Sequence, residues 1–424
     1  MAEMKDSGIE WVGEIPKEWK VLKNKYNFEL SKEIIGTKWV ETQLLSLTKY
    51  GVKAINDGEQ TGKVPESLST YQKVNKDDIV MCLFDLDCSA VFSGISNFDG
   101  MISPAYKCIR CKPHLCPQYV DYYFRTVFVD RKYKRYSKNV RFSISSDEFM
   151  NLPIIVPPID IQKKIAEFLN FKCFEIDTLH SDIEKQIKTL EEYKKQIITE
   201  AVTKGLDPDV EMKDSGISVY DKLPITWNLC RIKDCCQIVR GGSPRPINNY
   251  MSDNQDDINW IRISDTTKGH KYIDRTEQKI KKLGMSSSRL VHKGDLLLTN
   301  SMSFGQPYIL NIDGCIHDGW LAFSQYKNIS KEFLFYTLMS ELCAMQFVLS
   351  VSGSVVVNLN IDKVGETKIF IPNMEKQKEI VSYLDNILAD INDVIEEKKE
   401  QLETLEQYKK SLIYEYVTGK KEVK

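Results

Sequence analysis

The chain has 424 residues, of which 42% are hydrophobic and 28% charged, and its formal net charge is −2. This length exceeds one hydrophobic core, so we expect at least two domains. The near-neutral charge excludes a broadly basic coat, and any nucleic-acid surface must be local. The sequence contains no long apolar run and begins with a mixed, acidic segment, so we expect no membrane span, no secretory signal and a cytoplasmic protein with reduced cysteines.

Residues 1–155 are predicted to form a β-rich globular domain. Short apolar runs such as Asp78–Leu83 lie between turn-forming residues, which is typical of short strands. A helical pattern follows at Pro117–Phe128. The chain then returns to Pro157, which is suited to open a helix.

Residues 156–205 are predicted to form the first long helix, with Asp160–Lys204 spanning roughly 65 Å at 1.5 Å per residue. Apolar residues recur at the a/d spacing of a coiled coil, with Glu and Lys on the other faces. Gly205, followed by Pro208, is typical of a helix C-terminus. One seam is assigned to Leu169, Ile176, Ile183, Leu190 and Ile197, and the alternate seam is assigned largely to Ile165, Leu179 and Tyr193.

The second half of the chain repeats the first. The hexapeptide Met4–Ile9 returns at Met212–Ile217, and the long helix returns without gaps at Asn373–Gly419. Matching of rare residues in register makes a chance likeness improbable. The repeat predicts a second β-rich domain in residues 206–371, with a helical pattern at Lys331–Phe347, and a second long helix in residues 372–424. The seam of the second helix is assigned to Leu384, Ile391, Leu405 and Leu412.

Two copies of one unit can pack as a homodimer does, around a pseudo-twofold axis. The long helices would then pair antiparallel, which brings Gly419 close to Met4. Lys398 occupies the seam position that Ile183 has in the first helix, where it either sets the register or is compensated by apolar neighbours. We therefore predict an α+β fold in which two β-rich domains are separated by two long antiparallel coiled-coil helices.

Basic residues are concentrated locally in both domains, as contacts with DNA phosphates require. Arg125–Arg141 interleaves cations with two tyrosines, and Arg262–Lys293 is also strongly basic. Arginine and asparagine can in addition read base edges. A solvated charged face is the alternative. The candidate DNA-binding residues are Lys132, Lys134, Arg135, Lys138 and Arg141 in the first domain, and Arg240, Ser243, Arg245, Arg262, Lys268, Arg275, Arg289, Asn300 and Ser301 in the second.

Three groups of residues suggest metal binding, phosphate binding or catalysis, but none of them supports such a function. The cysteines and histidine of Cys108–Cys116 lack a standard zinc spacing and do not recur in the second copy, so we expect free thiols and no metal site. The turn Gly241–Pro244 lacks the Gly-Lys-Ser/Thr of a phosphate-binding loop. His292 and the pair His317–Asp318 are isolated, which favours a structural or surface role. We find no methyltransferase or nuclease motif, and we predict that the chain is not an enzyme.

The order of these features, repeated twice, resembles the specificity subunit of type I restriction–modification systems. The resemblance covers essentially the whole chain. The residues that carry it are the duplicated openings Met4–Trp19 and Met212–Trp227, the turn Gly241–Pro244, the Lys-x-Asp-apolar strands at Lys76 and Lys293, and Pro157–Ile165. The first domain departs from the pattern, because it has Ile34–Thr37 where the second has the Gly-Gly-Ser-Pro turn.

The resemblance implies that each globular part is a target recognition domain for one half of a bipartite, asymmetric DNA site. The helices would set the spacer and dock two methyltransferase subunits, with two restriction subunits added in a complete restriction complex. S-adenosylmethionine, ATP and Mg²⁺ would belong to those partners, with no cofactor in this chain. Two alternatives remain open: a coiled-coil scaffold that binds proteins and no DNA, and a fused enzyme with an unrecognised active site.

Overall fold

The computed structural model describes residues 3–48, 51–56, 67–137, 142–218, 220–267, 269–301, 305–351 and 358–423. Contacts divide the chain into two units, of which the first comprises Met1–Ile183 with Lys399–Lys424 and the second comprises Glu184–Lys398. Each unit therefore contains one globular domain and a portion of both long helices.

The first unit combines short strands with helices of different lengths. Its strands are β1 (Met4–Asp6), β2 (Glu14–Pro16), β3 (Lys20–Lys23), β4 (Phe28–Leu30), β5 (Leu45–Thr48), β6 (Gly51–Ala54), β7 (Gln72–Val74), β8 (Ile79–Met81), β9 (Ser93–Ile95), β10 (Gly100–Ile102), β11 (Lys107–Cys111) and β12 (Pro153–Val156). Its helices are α1 (Asn24–Asn27), α2 (Pro117–Phe128), α3 (Ser146–Asn151) and the first part of α4 (Ile159–Lys204), with 3-10 helices at Gly36–Glu41 and Val129–Tyr136.

The second unit has the same order of elements with additional strands. Its strands are β13 (Met212–Asp214), β14 (Lys222–Pro224), β15 (Asn228–Arg231), β16 (Gln237–Arg240), β17 (Met251–Ser252), β18 (Ile258–Ile261), β19 (Tyr272–Ile273), β20 (Gln278–Ile280), β21 (Arg289–Val291), β22 (Leu296–Thr299), β23 (Pro307–Leu310), β24 (Gly314–Ile316), β25 (Trp320–Ser324) and β26 (Lys368–Ile371). Its helices are α5 (Ile232–Cys235), α6 (Lys331–Met339), α7 (Glu341–Val351), α8 (Ile361–Gly365) and the first part of α9 (Met374–Val417), with 3-10 helices at Ile247–Asn249, Ile263–Asp265 and Lys282–Ser287.

The strand order reveals one sheet plan in both domains. In the first domain a four-stranded antiparallel sheet has the order β4-β11-β8-β9, and in the second the order is β16-β25-β22-β23, extended by β19. The second domain has another five-stranded sheet, β17-β20-β18-β24-β21. Its counterpart in the first domain is divided into the pairs β5-β6 and β7-β10, linked by an isolated parallel bridge between Leu44 and Met101. The α+β fold and its internal repeat are thus confirmed.

The repeat extends to individual hydrogen bonds. The buried Gln162 of α4 accepts from the Cys116 amide at 2.8 Å and donates to the carbonyls of His114 and Pro157. In the second unit Gln377 of α9 accepts from Ser330 at 2.7 Å and donates to the carbonyls of Asn328 and Pro372. Each glutamine therefore ties the first turn of a long helix to the loop that precedes α2 or α6.

The Lys-x-Asp strands also share their turn geometry. Asp78 accepts from the Asn75 amide at 2.9 Å, and Asp295 accepts from the His292 amide at 2.8 Å. The residue before each aspartate is left-handed: Gly294 has φ +92°, and Asp77 has φ +68°. Asparagine, aspartate and glycine tolerate this region better than other residues. The sequence match at Lys76 and Lys293 therefore reflects one turn used twice.

The long helices pair antiparallel in both units. In the first, Asp177 of α4 accepts from Lys409 of α9 at 2.5 Å, while Phe168 and Tyr416 have ring centroids 4.5 Å apart. In the second, Gln186 accepts from Lys398 at 2.5 Å. Lys398 therefore finds a polar partner across the seam.

The seam residues differ in burial. Leu169, Ile176, Ile197, Leu384, Ile391 and Leu412 are buried, whereas Ile183, Leu190 and Leu405 are half-buried. The assignment of the alternate seam differs at Leu179 and Tyr193, which are 53% and 49% exposed. Buried or half-buried positions lie one residue further on instead, at His180 and Lys194. Their polarity concealed the true register from the sequence pattern.

The helical pattern Lys331–Phe347 forms two helices in place of one. Ser340 lies between α6 and α7 with an extended backbone (φ −70°, ψ 155°), and its hydroxyl donates to the Thr337 carbonyl at 2.5 Å. The Ser340 amide donates to the same carbonyl, so the backbone and the side chain of Ser340 together close the end of α6. Within the described residues no single helix is long and apolar enough to cross a membrane, although α6 and α7, bent by 63°, pass that test as a pair.

The chain end packs against the opening of the first domain, as expected from the repeat. Gly419, with φ +74°, lies against Pro16 and Trp19, and Lys420 donates to the Glu14 carbonyl at 2.5 Å. Gly205 ends α4 in the same way in the second unit, where it lies against Trp227. Each long helix therefore ends on the tryptophan that follows an opening hairpin.

Candidate nucleic-acid interface

Four of the candidate DNA-binding residues of the second domain converge on the turn that precedes β25. Arg240 Nε and Asn300 Nδ2 both donate to the Asp318 carbonyl oxygen, at 2.8 Å and 2.9 Å. Ser243 Oγ donates to Asp318 Oδ1 at 2.7 Å, and an Arg245 guanidinium nitrogen lies 3.5 Å from Oδ2. We refer to these five residues as the Asp318 cluster.

Two adjacent glycines allow the chain to reach Asp318. A Cβ on Gly241 would lie 2.0 Å from the His317 carbonyl oxygen, and one on Gly242 would lie 2.9 Å from that of Ser287. Their amides donate to the carbonyls of Trp320 and Ile316. Only glycine permits so close a backbone approach. The two glycines therefore allow the Gly-Gly-Ser-Pro turn to place Ser243 and Arg245 against Asp318.

The cluster presents both charges to solvent. Arg240 is exposed, and the side chains of Arg245 and Asp318 are 72% and 44% exposed. The hydrogen bond from Ser243, followed by the positive charges nearby, holds the pKa of Asp318 below its usual range. The carboxylate is therefore ionised at neutral pH. Asn300 differs from the expectation of a groove contact, because it is buried and holds the Asp318 carbonyl from within.

His317 supports the turn from the interior. Its ring lies near those of Trp260 and Trp320, with centroid separations of 6.1 Å and 6.3 Å. Its Nδ1 accepts from the Gly319 amide at 2.8 Å, which requires an unprotonated nitrogen at that position. Burial lowers the pKa of His317, in agreement with a neutral ring. The pair His317–Asp318 thus has the structural part expected of it, while Asp318 also faces solvent.

The other candidate DNA-binding residues of the second domain lie outside the Asp318 cluster or at its edge. Arg289 is exposed and donates to the Arg240 carbonyl at 3.1 Å, so it extends the basic surface. Arg262 is engaged by Asp265 at 3.1 Å and by Glu277 at 2.8 Å. Arg275 is exposed in the turn between β19 and β20, Ser301 is half-buried, and Lys268 lies outside the described residues.

Among its described residues, the basic segment of the first domain has one candidate cation held against the protein and two that are exposed. Lys132 donates to the Thr126 carbonyl at 2.8 Å and lies over the Trp11 ring. Lys134 and Arg135 are exposed, although Arg135 forms an ion pair with Glu10 at 2.5 Å. Lys138 and Arg141 lie outside the described residues.

Within its described residues, the first domain has no equivalent of the glycine turn. Ile34 forms an isolated bridge with Gln72, and a 3-10 helix follows at Gly36–Glu41. This segment replaces the Gly-Gly-Ser-Pro turn that the sequence comparison aligned with it. The two domains therefore present different surfaces from one shared frame.

The cysteine-rich stretch of the first domain belongs to its core. Cys108 is fully buried on β11, and burial raises the pKa of Cys108 and Cys111 to about 12. His114 lies 3.0 Å from the Asn27 side-chain oxygen. Among the residues that the structure describes, no group of three or more His, Cys, Asp or Glu side chains is placed to hold a metal ion.

Sequence reasoning missed Asp318 as the residue on which four of the candidate DNA-binding residues converge. Its partners Ser243 and Arg245 precede it by more than seventy residues, and an isolated aspartate in a turn carries no distinguishing pattern. The available signal was the glycine pair, whose need for close backbone contact implies an opposing segment.

Comparison with known proteins agrees with the fold and the repeat. A family model described as the type I restriction modification DNA specificity domain matches residues 16–191 and again residues 224–404. The MjaVIII specificity subunit of a type I restriction enzyme from Methanocaldococcus jannaschii is 26% identical over 65% of this chain and 64% of that protein. The EcoBI specificity subunit from Escherichia coli is 24% identical over 58% of this chain and 53% of that protein.

Solved structures share the fold at low sequence identity. A chain from a structure on complex assembly and conformational transition of the type I R-M system has a TM-score of 0.74 at 14% identity, and covers 96% of this chain and 99% of its own length. The HsdS subunit from Thermoanaerobacter tengcongensis has a TM-score of 0.51 at 14% identity, with 96% and 98% covered. Since the family model matches well over half of its length, the chain belongs to the type I restriction–modification DNA specificity family, with one DNA-specificity domain in each unit.

Proposed function

We propose that this chain reads a bipartite, asymmetric site in double-stranded DNA, with one globular domain for each half. The observation that carries the proposal is the Asp318 cluster. It combines exposed arginines, which suit phosphates and guanine edges, with a fixed polar centre. Two domains with one frame and different surfaces suit two different half-sites.

The long helices support the second part of the proposal, which concerns spacing and assembly. We propose that α4 and α9 set the distance between the half-sites and dock two methyltransferase subunits. Two restriction subunits would join in a complete restriction complex. Methylation and cleavage, with their S-adenosylmethionine, ATP and Mg²⁺, would reside in those partners, and the assembly would act on DNA in the cytoplasm.

Methylation mapping tests the proposal in cells that carry the chain with its neighbouring methyltransferase. We expect a bipartite methylated motif with a fixed gap, and its loss when this chain is deleted. Unchanged methylation, with the methyltransferase confirmed as expressed, would contradict DNA recognition and favour a protein-binding scaffold. Methylation or cleavage by the isolated chain would contradict the assignment of the chemistry to partners.

The spacer is tested by matched changes in both helices. Residues inserted near Gln186 in α4 and near its partner Lys398 in α9 should lengthen the gap in the methylated motif and leave both half-sites unaltered. An unchanged gap in a folded, active complex would refute the role of the helices as a ruler.

A further inference from the structure

The Asp318 carboxylate is anomalous on a surface that meets DNA. Arg245 lies 3.5 Å from the carboxylate, Arg240 donates to the backbone carbonyl of Asp318, and Arg289 donates to the carbonyl of Arg240. These arginines suit DNA phosphates, whereas a carboxylate repels phosphates. A negative charge at this place must either hold the arginines or meet a part of DNA that donates hydrogen bonds. The exocyclic amino groups of cytosine and adenine are such donors in the major groove.

The carboxylate retains capacity to accept. Each ionised oxygen can accept about two hydrogen bonds. Oδ1 takes one from Ser243 at 2.7 Å, and Oδ2 lies at 3.5 Å from Arg245, with the side chain 44% exposed. A donor arriving from solvent therefore finds free lone pairs.

The carboxylate is also held in place before any ligand arrives. The main chain of Asp318 is fixed by Arg240 and Asn300 at its carbonyl, and its amide lies 3.4 Å from Ser243 Oγ. The ring of the neighbouring His317 packs near those of Trp260 and Trp320, with centroids 6.1 Å and 6.3 Å away. Discrimination between bases requires a rigidly placed acceptor, because a mobile carboxylate could move to accept a hydrogen bond from either base.

We infer that Asp318 is a specificity-determining residue that reads a cytosine in the half-site of the second domain. Cytosine offers its N4 amino group without a neighbouring acceptor on the same base. Adenine places its N7 acceptor beside N6, which a carboxylate would repel and an asparagine amide would satisfy. This inference rests on the proposed function and adds to it the identity of one recognised base.

The test uses the complete chain with its methyltransferase and a plasmid library in which each base pair of the motif is varied singly. Wild type should require a G·C pair at one position of the second domain's half-site. Asp318→Asn keeps the shape and removes the charge. We expect it to reduce the preference at that pair at least about fivefold and to shift the preference towards adenine, while the other half-site stays unaltered.

Asp253→Asn is the matched control, because Asp253 is exposed in the same domain and lies outside the cluster. It should leave every preference unchanged. The unaltered first half-site shows in the same experiment that the Asp318→Asn chain folds and assembles.

Three results would overturn the inference. A uniform loss across the whole half-site in Asp318→Asn would mean that Asp318 only positions the arginines. Retained preference at every pair would remove it from recognition. A wild-type half-site of the second domain in which no position requires a G·C pair would exclude a cytosine contact. In contrast, a wild-type chain with no bipartite motif would refute the proposed function itself.

Discussion

The two copies of the repeat differ in what they preserve. Gln162 and Gln377 make the same three hydrogen bonds, and Asp78 and Asp295 close the same turn. The surfaces expected to meet DNA have diverged, since the second domain has the glycine turn and the Asp318 cluster, whereas the described part of the first domain has a 3-10 helix at Gly36–Glu41 in that place. The frame is constrained by packing in both copies, whereas each surface is free to fit a different half-site.

The largest expected effect concerns the shared frame. Gln162→Ala and Gln377→Ala each leave one amide and two carbonyls without their side-chain partner. At roughly 1–3 kcal/mol for each group left unpaired, with the smallest share from the partly exposed carbonyls of His114 and Asn328, each variant should lose about 3 kcal/mol of the free energy of unfolding. Denaturant unfolding of the complete chain measures the loss.

The exposed Gln401→Ala on α9 is the matched control, and it should change the free energy of unfolding by no more than about 0.5 kcal/mol. Equal losses for the two buried glutamines are expected if the frame is equivalent in both units. A loss in one variant alone would break the comparison.

The helix seam provides the next effect. Leu190 and Leu405 occupy one repeat position, and both are half-buried against the cores of their units. Replacement of either leucine by aspartate should lower the free energy of unfolding by about 2–3 kcal/mol, because apolar burial is lost and a charge enters the seam. Thermal unfolding measures this cost.

Leu179→Asp discriminates between the two assignments of the seam. The sequence pattern included Leu179, but its side chain is 53% exposed, so we expect a change within about 0.5 kcal/mol. A loss as large as that of Leu190→Asp would show that the seam register described above is incorrect.

The smallest effect concerns DNA binding and separates the two surfaces. Replacement of both Arg240 and Arg245 by alanine should weaken DNA binding. If both arginines contact phosphates, the slope of log K against log[salt] should become less steep by up to about 1.8. Removal of Lys134 and Arg135 should change the slope less, because Arg135 is already paired with Glu10 and Lys134 lies over the Phe142 ring. Titrations of target DNA at several salt concentrations measure both slopes.

Arg231→Ala serves as a control for these titrations, since Arg231 is paired with Asp234 and Glu366 outside the cluster. Its slope should equal that of wild type. A larger change for the first-domain pair than for Arg240 and Arg245 would reverse the proposed ranking of the two surfaces.

The repeat and the element types were predictable from the sequence because they depend on local pattern. Pro117–Phe128 was predicted as a helix with the bounds that α2 has. The alternate helix seam was not, since His180 and Lys194 place polar residues where an apolar pattern was sought. The Asp318 cluster joins segments far apart in the chain, and the inward turn of Lys132 depends on Trp11. Such contacts follow from tertiary packing, which residue spacing does not encode.

The central claim is that the second domain reads its own half-site through the Asp318 cluster, independently of the first. The most direct test is the methylated motif produced by the complete chain with Arg245→Ala. We expect the half-site of the second domain to become degenerate while the other half-site and the gap stay as in wild type. Degeneracy in both halves, or an unaltered motif at full methylation, would contradict the account.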